Sequence, residues 1–265
     1  MKQNLLSLLR ALNLLHFADR INFMRQQLLN LPSNRAFRKN FPDISLPPDY
    51  LMYESFSLNY EQYYVASRNA SEAIADTIKK HLKVKDNLSV LDWGCGPGRI
   101  IRHMSDFFPN ASLYGTDPNN KSINWCQENL NGTYNTNSLE PPLRYDDNAF
   151  DVIYGISIFT HLSEEMHDAW MAELLRVLKP GGIMYQTTHG DATKIRLNSD
   201  EVRHFDDGNI VVRGKVVEGH RIYTAYQPAR YMNNLINSHG GVVLEHISPV
   251  EKKRIPPKDI WLITK

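Results

Sequence analysis

The run Val-Leu-Asp-Trp-Gly-Cys-Gly-Pro-Gly-Arg at 90–99 constrains this chain more than any other feature. An apolar strand ends at an acidic residue, Asp92, and Gly94, Gly96 and Gly98 then turn the chain into a helix-like run, RIIRHMSDFF. Glycines in such a turn let the backbone approach a ligand closely, because no Cβ holds it away. A second apolar stretch, ASLYGTD at 111–117, ends in Asp117, nineteen residues past Gly98. An acidic residue about 20 positions beyond a glycine turn is placed to accept from a ribose diol. Together these features describe a nucleoside-binding half-fold.

Which nucleoside it takes follows from charge and spacing. A dinucleotide site wants G-x-G-x-x-G, with a pyrophosphate at the helix N-terminus. Here the pattern is G-x-G-x-G preceded by Asp92, which repels a pyrophosphate and favours a ligand carrying positive charge, such as an α-ammonium group. This motif resembles the first motif of the class I S-adenosylmethionine-dependent methyltransferases. FDVIYGISIFTHL (150–162) and ELLRVLKPGGIMYQTTHG (173–190) are similar to that superfamily's fourth strand, following helix and fifth strand. Within it, SIFTHL, Trp170 and a fifth strand ending in THG resemble the bacterial small-molecule enzymes of the type 11/25 group.

Alternation of strands and helices independently predicts an α/β fold. Strands are expected near 88–92, 112–116, 151–155, 182–188, 242–248 and 259–264, in a mostly parallel sheet with helices on both faces. The last two, joined through Pro256 and Pro257, are close enough for a hairpin, which requires one antiparallel strand. The resemblance implies a Rossmann-like seven-stranded sheet with that hairpin at its end. Pro228 and Gly240–Gly241 bracket the last helix. Between the fifth strand and that helix, the turn signals DDGN (206–209) and VEGH (217–220) predict a β-hairpin arm within 191–226.

The N-terminal region reads differently. Residues 1 to about 31 are expected to be helical, with Leu5, Leu8, Leu9, Leu12 and Leu15 at helical spacing. That stripe is expected to pack on its own domain or, as a homodimer, on a second subunit. Membrane-surface attachment is disfavoured because the polar face of that stretch is not notably basic. Arg10 and Asn13 break the run, so neither a membrane span nor a signal peptide is expected. Pro32, Pro42, Pro47 and Pro48 predict an extended loop before an aromatic stretch, Tyr50 to Tyr64. A helix with Ile74, Ile78 and Leu82 follows, with Asn69 and Glu72 as a capping pair. The expected division is a helical, aromatic extension and lid at 1–58 and a methyltransferase domain at 59–265.

Composition excludes some classes. Thirty basic and 29 acidic side chains leave a net charge of +1, without the footprint of a nucleic-acid binder; the basic run Lys252–Arg254 is short enough to be solvated surface. The two cysteines, Cys95 in the glycine turn and Cys126 on an expected helix, sit in different settings, so no disulfide is expected and a reducing cytoplasm fits. Cys95 reads as a small residue filling a tight turn. No His, Cys, Asp and Glu cluster has metal-ligand spacing.

The resemblance implies residue roles and S-adenosyl-L-methionine as cofactor. Asp92 would hold the methionine amino group, Gly94, Cys95, Gly96 and Gly98 would lie against the methionine and ribose, and Asp117, with Pro118 beside it, would accept the ribose hydroxyls. For adenine, the family's acidic position five residues before the proline ahead of the fourth strand falls on Asn137, followed by Ser138, counting from Pro142. Tyr64 and Arg68 match positions near the methionine carboxylate, and Ile156 and Ser157 would line the cofactor. LEPPL (139–143) hints at the Pro-Pro motif of nucleic-acid amino methylases, but it precedes the fourth strand instead of following it. For a hydroxyl acceptor, His161 and His189, just past the fourth and fifth strands, are the candidate bases. The expected function is methylation of a small-molecule or sugar-like acceptor, at oxygen. A protein or RNA methyltransferase, a non-catalytic cofactor-binding subunit and a dinucleotide oxidoreductase are the alternatives.

Overall fold

A computed structural model describes residues 15–83, 86–214, 216–249 and 255–265. The chain divides into two compact units, 1–69 and 70–265. The leucine positions ahead of Leu15 and the basic run at 252–254 lie outside the described residues.

In the first unit, α1 spans Leu15–Asn40 and α2 spans Asp49–Ser55. Helix α1 continues through Pro32, where the sequence predicts a loop. A proline costs a helix the bond to the carbonyl four residues back. That carbonyl belongs to Leu28, which is exposed, and the next turn is anchored from its other side. Asn34 donates to the Leu58 carbonyl (2.8 Å) and accepts from the Tyr60 amide (3.0 Å), and Phe37 is buried among Met52, Tyr53, Leu58, Tyr60 and Tyr63. The aromatic stretch is thus the core of this unit. A π-helical turn, Gln62–Ala66, runs directly into α3, Ser67–Lys79. Asn69 is therefore inside a helix and caps nothing, because the helix begins earlier than its apolar periodicity suggests.

The second unit is built on seven strands. In chain order they are β1 Ser89–Trp93, β2 Ser112–Asp117, β3 Thr133–Thr136, β4 Phe150–Gly155 and β5 Leu178–Thr188, then, past the arm, β8 Val242–Ile247 and β9 Asp259–Thr264. The arm itself holds β6, Val211–Arg213, and β7, Thr224–Tyr226, paired antiparallel. The main sheet has the order β3-β2-β1-β4-β5-β9-β8, all parallel except β9, which runs antiparallel to both neighbours. Side chains alternate across each strand, so one sheet gives two cores. Leu91, Trp93 and Ile153 face one side with Trp170, Leu174 and Ile236. Val90, Val152 and Tyr154 face the other with Ile74, Ile78 and Met104. The helices between strands are short α4 (Met104–Phe107), α5 (Asn120–Asn129), α6 (Glu164–Val177), α7 (Ser199–Asp206) and α8 (Ala229–Ser238).

Three local readings differ from the sequence. Strand β3 is absent from the expected set because TYNT is polar and sits at the sheet edge, where apolar patterning is not required. The arm is more than a hairpin: SDEVRHFD forms α7, closed by a capping box between Asn198 and Glu201. After the glycine turn the chain makes a 3-10 turn, Ile101–His103, before α4, with the Ile100 carbonyl accepting from the Ser71 hydroxyl.

Candidate functional site

Strand order reverses between β1 and β4, and ligands of open α/β sheets bind in the crevice beyond the carboxyl ends at that point. The turn after β1 is fastened there by backbone. The amides of Gly94 and Cys95 both donate to the Thr116 carbonyl, at 2.8 and 2.9 Å. Gly94, Gly96 and Gly98 all have positive φ, of 75°, 52° and 70°. At Gly94 space is as restrictive as conformation, because a Cβ would lie 2.1 Å from Ile158 Cδ1.

Two carboxylates frame this turn. Asp117, at the end of β2, accepts from the Gly96 amide through Oδ2 (2.9 Å) and from the Asn119 amide through Oδ1 (2.8 Å). Its orientation is set by these backbone amides. Pro118 sits between these anchors. Asp92 is buried and lies in register with Tyr154 of β4 and Gly115 of β2. Burial pushes its carboxyl up to about 7, partly offset by the nearby Tyr154 hydroxyl and the Arg99 charge. A buried carboxyl of this kind gains by meeting a cation.

Register between β2 and β3 pairs Asp117 with Thr136, which brings Asn137 alongside. The Asn137 amide donates to the Asp117 carbonyl (3.4 Å), its side-chain nitrogen donates to the Ser138 carbonyl (2.6 Å), and its Oδ1 is buried with no donor. Asp92, the glycine turn, Asp117 and Asn137 therefore line one edge of the sheet in the sequence of groups an S-adenosylmethionine molecule presents: ammonium, ribose diol and adenine amine. The residues fit that cofactor.

The thiols of Cys95 and Cys126 both reach the Gly96 carbonyl, at 3.4 and 3.5 Å, so their settings are shared and not different as the sequence suggests. Both are free. Contact with Cys126 and burial push the Cys95 thiol well above its usual range, so it fills space as a neutral group.

The other half of the site lies past β4 and β5. Ser157 adopts a left-handed conformation (φ 73°), fixed by its amide donating to Thr187 Oγ1 and its carbonyl accepting from Thr160 Oγ1. Left-handed backbone at a non-glycine residue is strain of the kind that collects at functional sites. Ile156, just before it, packs against the core cluster that includes Tyr154. The 3-10 turn Phe159–His161 follows.

His161 Nδ1 lies 2.7 Å from the Tyr223 carbonyl, and His189 Nδ1 lies 3.0 Å from the Ala225 carbonyl. Carbonyls only accept, so Nδ1 carries the proton in both rings and Nε2 of the neutral imidazole is an acceptor. Tyr223 and Ala225 lie two residues apart, one just before β7 and one within it. Gln227 ties the assembly together: its Oε1 accepts from the His189 amide, and its Nε2 donates to the Phe159 carbonyl and to His167. The Gly219 amide of the VEGH turn donates to the His161 carbonyl, and Glu218 accepts from the Ser163 amide.

Burial holds His161 down to about 4 and His189 down to about 3, with the charge of Lys258 acting on both. Lys258 follows one step beyond the Thr188–Asp259 pair of β5 and β9, opposite His189. It is itself lowered to about 8 by burial and by Arg99 and Arg196. Neither Lys258 nor Tyr154 carries a sequence signal, since each is placed by strand register. Tyr64 stacks edge-on with Phe37 (6.2 Å) in the first unit, where Arg68 also lies. The other expected residues belong to the second unit. Among the described residues, no group of three or more His, Cys, Asp or Glu could hold a metal ion.

Comparison with known proteins agrees with this geometry. A family profile described as "Methyltransferase domain" matches residues 90–182. An uncharacterized methyltransferase of Schizosaccharomyces pombe is 29% identical over 154 residues, covering 52% of each chain. The cyclopropane-fatty-acyl-phospholipid synthase of Escherichia coli is 29% identical over 191 residues, covering 70% of this chain and 49% of its own. The chain thus spans about half the length of the curated relatives it matches. In fold it is similar to an S-adenosylmethionine-dependent methyltransferase from Mesorhizobium loti (TM-score 0.57, 14% identity, 74% of this chain and 100% of that one). It is also similar to the magnesium protoporphyrin IX methyltransferase of Synechocystis with bound S-adenosylmethionine (TM-score 0.51, 12% identity, 91% and 95%). With the glycine turn, the backbone-anchored Asp117, the reversed strand order and the terminal antiparallel strand in place, residues 90–182 form a methyltransferase domain, and the fold is similar to that of S-adenosylmethionine-dependent methyltransferases.

Proposed function

We propose that this chain methylates a hydroxyl of a small-molecule or sugar-like acceptor. The observation that carries the reading is the pair of neutral imidazoles, His161 and His189, whose Nε2 atoms are acceptors beyond the carboxyl ends of β4 and β5. S-adenosylmethionine supplies a methyl group already activated on a sulfonium, so the protein's task is alignment, exclusion of water and removal of one proton. Asp92 meets the ammonium group, Asp117 orients the ribose, and Asn137 Oδ1 accepts from the adenine amine.

Both histidines are too weakly basic to ionise a free alcohol in advance. A neutral hydroxyl nevertheless becomes a strongly acidic oxonium as its oxygen bonds to the methyl carbon. An imidazole held down to about 4 is still a competent acceptor for that proton. The balance is one C–O bond formed, one C–S bond broken and one proton moved from the acceptor oxygen to Nε2. The names of the Escherichia coli and Synechocystis proteins put their own substrates among small molecules, which supports a small acceptor over a macromolecule.

The test is to incubate the protein with methyl-labelled S-adenosylmethionine and a panel of nucleotide-sugars and small hydroxylated, amino and alkene acceptors. Labelled methyl ether on a hydroxyl compound, with loss of turnover in His161→Ala or His189→Ala, is the expected result. Label only on nitrogen or carbon, or full turnover in both variants, would overturn the reading.

A further inference from the structure

Helix α1 has two apolar faces, and the core of its own unit uses one of them. Toward that core go Phe23, Asn34 and Phe37, with Asn22 donating to the Tyr53 hydroxyl and Gln27 donating to Asp49. On another side, Phe17, Ile21, Met24, Leu28 and Leu31 are 66%, 47%, 50%, 74% and 43% exposed. Their steps of 4, 3, 4 and 3 residues place all five within an arc of about 80°. Arg20 and Arg25, both exposed, border that arc on its two sides, and Arg35 and Lys39 continue it past the last apolar residue.

Charge is distributed unevenly. The first forty residues carry Lys2, Arg10, Arg20, Arg25, Arg35, Arg38 and Lys39 against one acid, Asp19. The other 225 residues hold 23 basic and 28 acidic side chains, so the near-neutral whole conceals a basic amphipathic end. The one acid is engaged, since Asp19 accepts from the Tyr53 hydroxyl at 2.7 Å.

From this juxtaposition we infer that the exposed stripe of α1 docks the protein on an anionic lipid surface, with the apolar side chains in the acyl boundary and the flanking arginines at the headgroups. The inference goes beyond methyl transfer and does not depend on it. Lipid suits both halves of the pattern: apolar residues need a nonpolar phase, and flanking arginines with long stems keep their charge in the headgroup layer. A nucleic-acid backbone would satisfy the arginines and leave five apolar side chains facing water. A parallel pair of α1 helices would set Arg20 of one copy beside Arg25 of the other, with no acid to separate them. The helix lies on the surface only, since no helix among the described residues is long and apolar enough to cross a membrane.

The test is sedimentation of the full chain with sucrose-loaded vesicles, either phosphatidylcholine alone or phosphatidylcholine with 30 mol% phosphatidylglycerol, at low and high salt. Binding to the anionic vesicles is expected, falling at least about tenfold in neutral vesicles or at 0.5 M salt. Phe17→Glu with Leu28→Glu should abolish binding, and Arg20→Glu with Arg25→Glu should weaken it at least about tenfold. Both variants should keep the wild-type melting temperature, because these side chains leave the core untouched. Equal binding to neutral vesicles or no binding would overturn the inference. So would a dimer dissolved by Phe17→Glu/Leu28→Glu without vesicle binding, or a large loss of melting temperature in that variant, which would mean the chain itself covers the stripe.

Discussion

The two halves of the site are built by different means. Around the cofactor half, backbone does the positioning: amides of Gly94, Cys95, Gly96 and Asn119 fasten the turn and Asp117 within a span of about 25 residues. In the half we propose for the acceptor, side chains are held by carbonyls far along the chain: His161 by Tyr223, 62 residues on, and His189 by Ala225, 36 residues on. A site made from local backbone tolerates little change in residue type at its glycines, whereas one made from a distant strand can be redirected by altering the arm. This contrast implies that substitutions in the first half should damage cofactor binding or folding, and those in the second should spare cofactor binding.

Gly94→Ala breaks the contrast most severely. The new Cβ meets Ile158 and the residue keeps φ 75°, so left-handed strain of about 1–2 kcal/mol adds to overpacking of about 1–3 kcal/mol. A large fall in melting temperature and loss of cofactor binding are expected. Ile158→Ala in the same protein should recover part of the stability, because it removes the clash and leaves the strain. A double-mutant cycle by denaturant unfolding measures the difference.

Next in size is Asp117→Ala, which removes charge-assisted bonds worth about 1.5–3 kcal/mol, so affinity for S-adenosylhomocysteine should fall roughly 10- to 100-fold. His161→Ala and His189→Ala should leave that affinity unchanged. Loss of affinity in the histidine variants would mean the two halves are not separable.

Smaller still is a pH effect at Asp92. Its carboxyl titrates near 7, and a ligand with a cationic amine selects the ionised form. Affinity should therefore rise with pH between 6 and 7, by at most about tenfold per unit, and Asp92→Asn should flatten the profile while lowering affinity. Isothermal titration at a series of pH values reads both.

A separate effect is on stability. His161 and His167 are held down to about 4 and His189 to about 3, against about 6.5 in an unfolded chain. Between 6.5 and 4 the unfolded chain binds the extra protons, so these three groups make stability fall as pH falls through that window. Asp92 acts oppositely, holding a proton when folded that the unfolded chain loses above 3.8. Melting temperature should drop from pH 6.5 to 4, and more steeply in Asp92→Asn.

How far the sequence could be read follows the same division. Strands β1, β4 and β9 are legible as buried stretches rich in Val, Ile and Leu, and β2, β5 and β8 as apolar stretches that alternate with helices. Asn137 is reached by counting from Pro142, and Asp117 by spacing. The carbonyl partners of His161 and His189 leave no trace in sequence, since any residue at 223 or 225 supplies the same carbonyl. The helix through Pro32 is likewise hidden, because Asn34 and Phe37 hold it through contacts with residues 52–63.

Calorimetric titration of the purified chain with S-adenosylmethionine, S-adenosylhomocysteine and NADH tests the central claim most directly. Micromolar binding of both sulfur ligands with none for NADH is the predicted result. Binding of NADH, or no binding of either sulfur ligand, would contradict the assignment of Asp92, Asp117 and Asn137 to this cofactor.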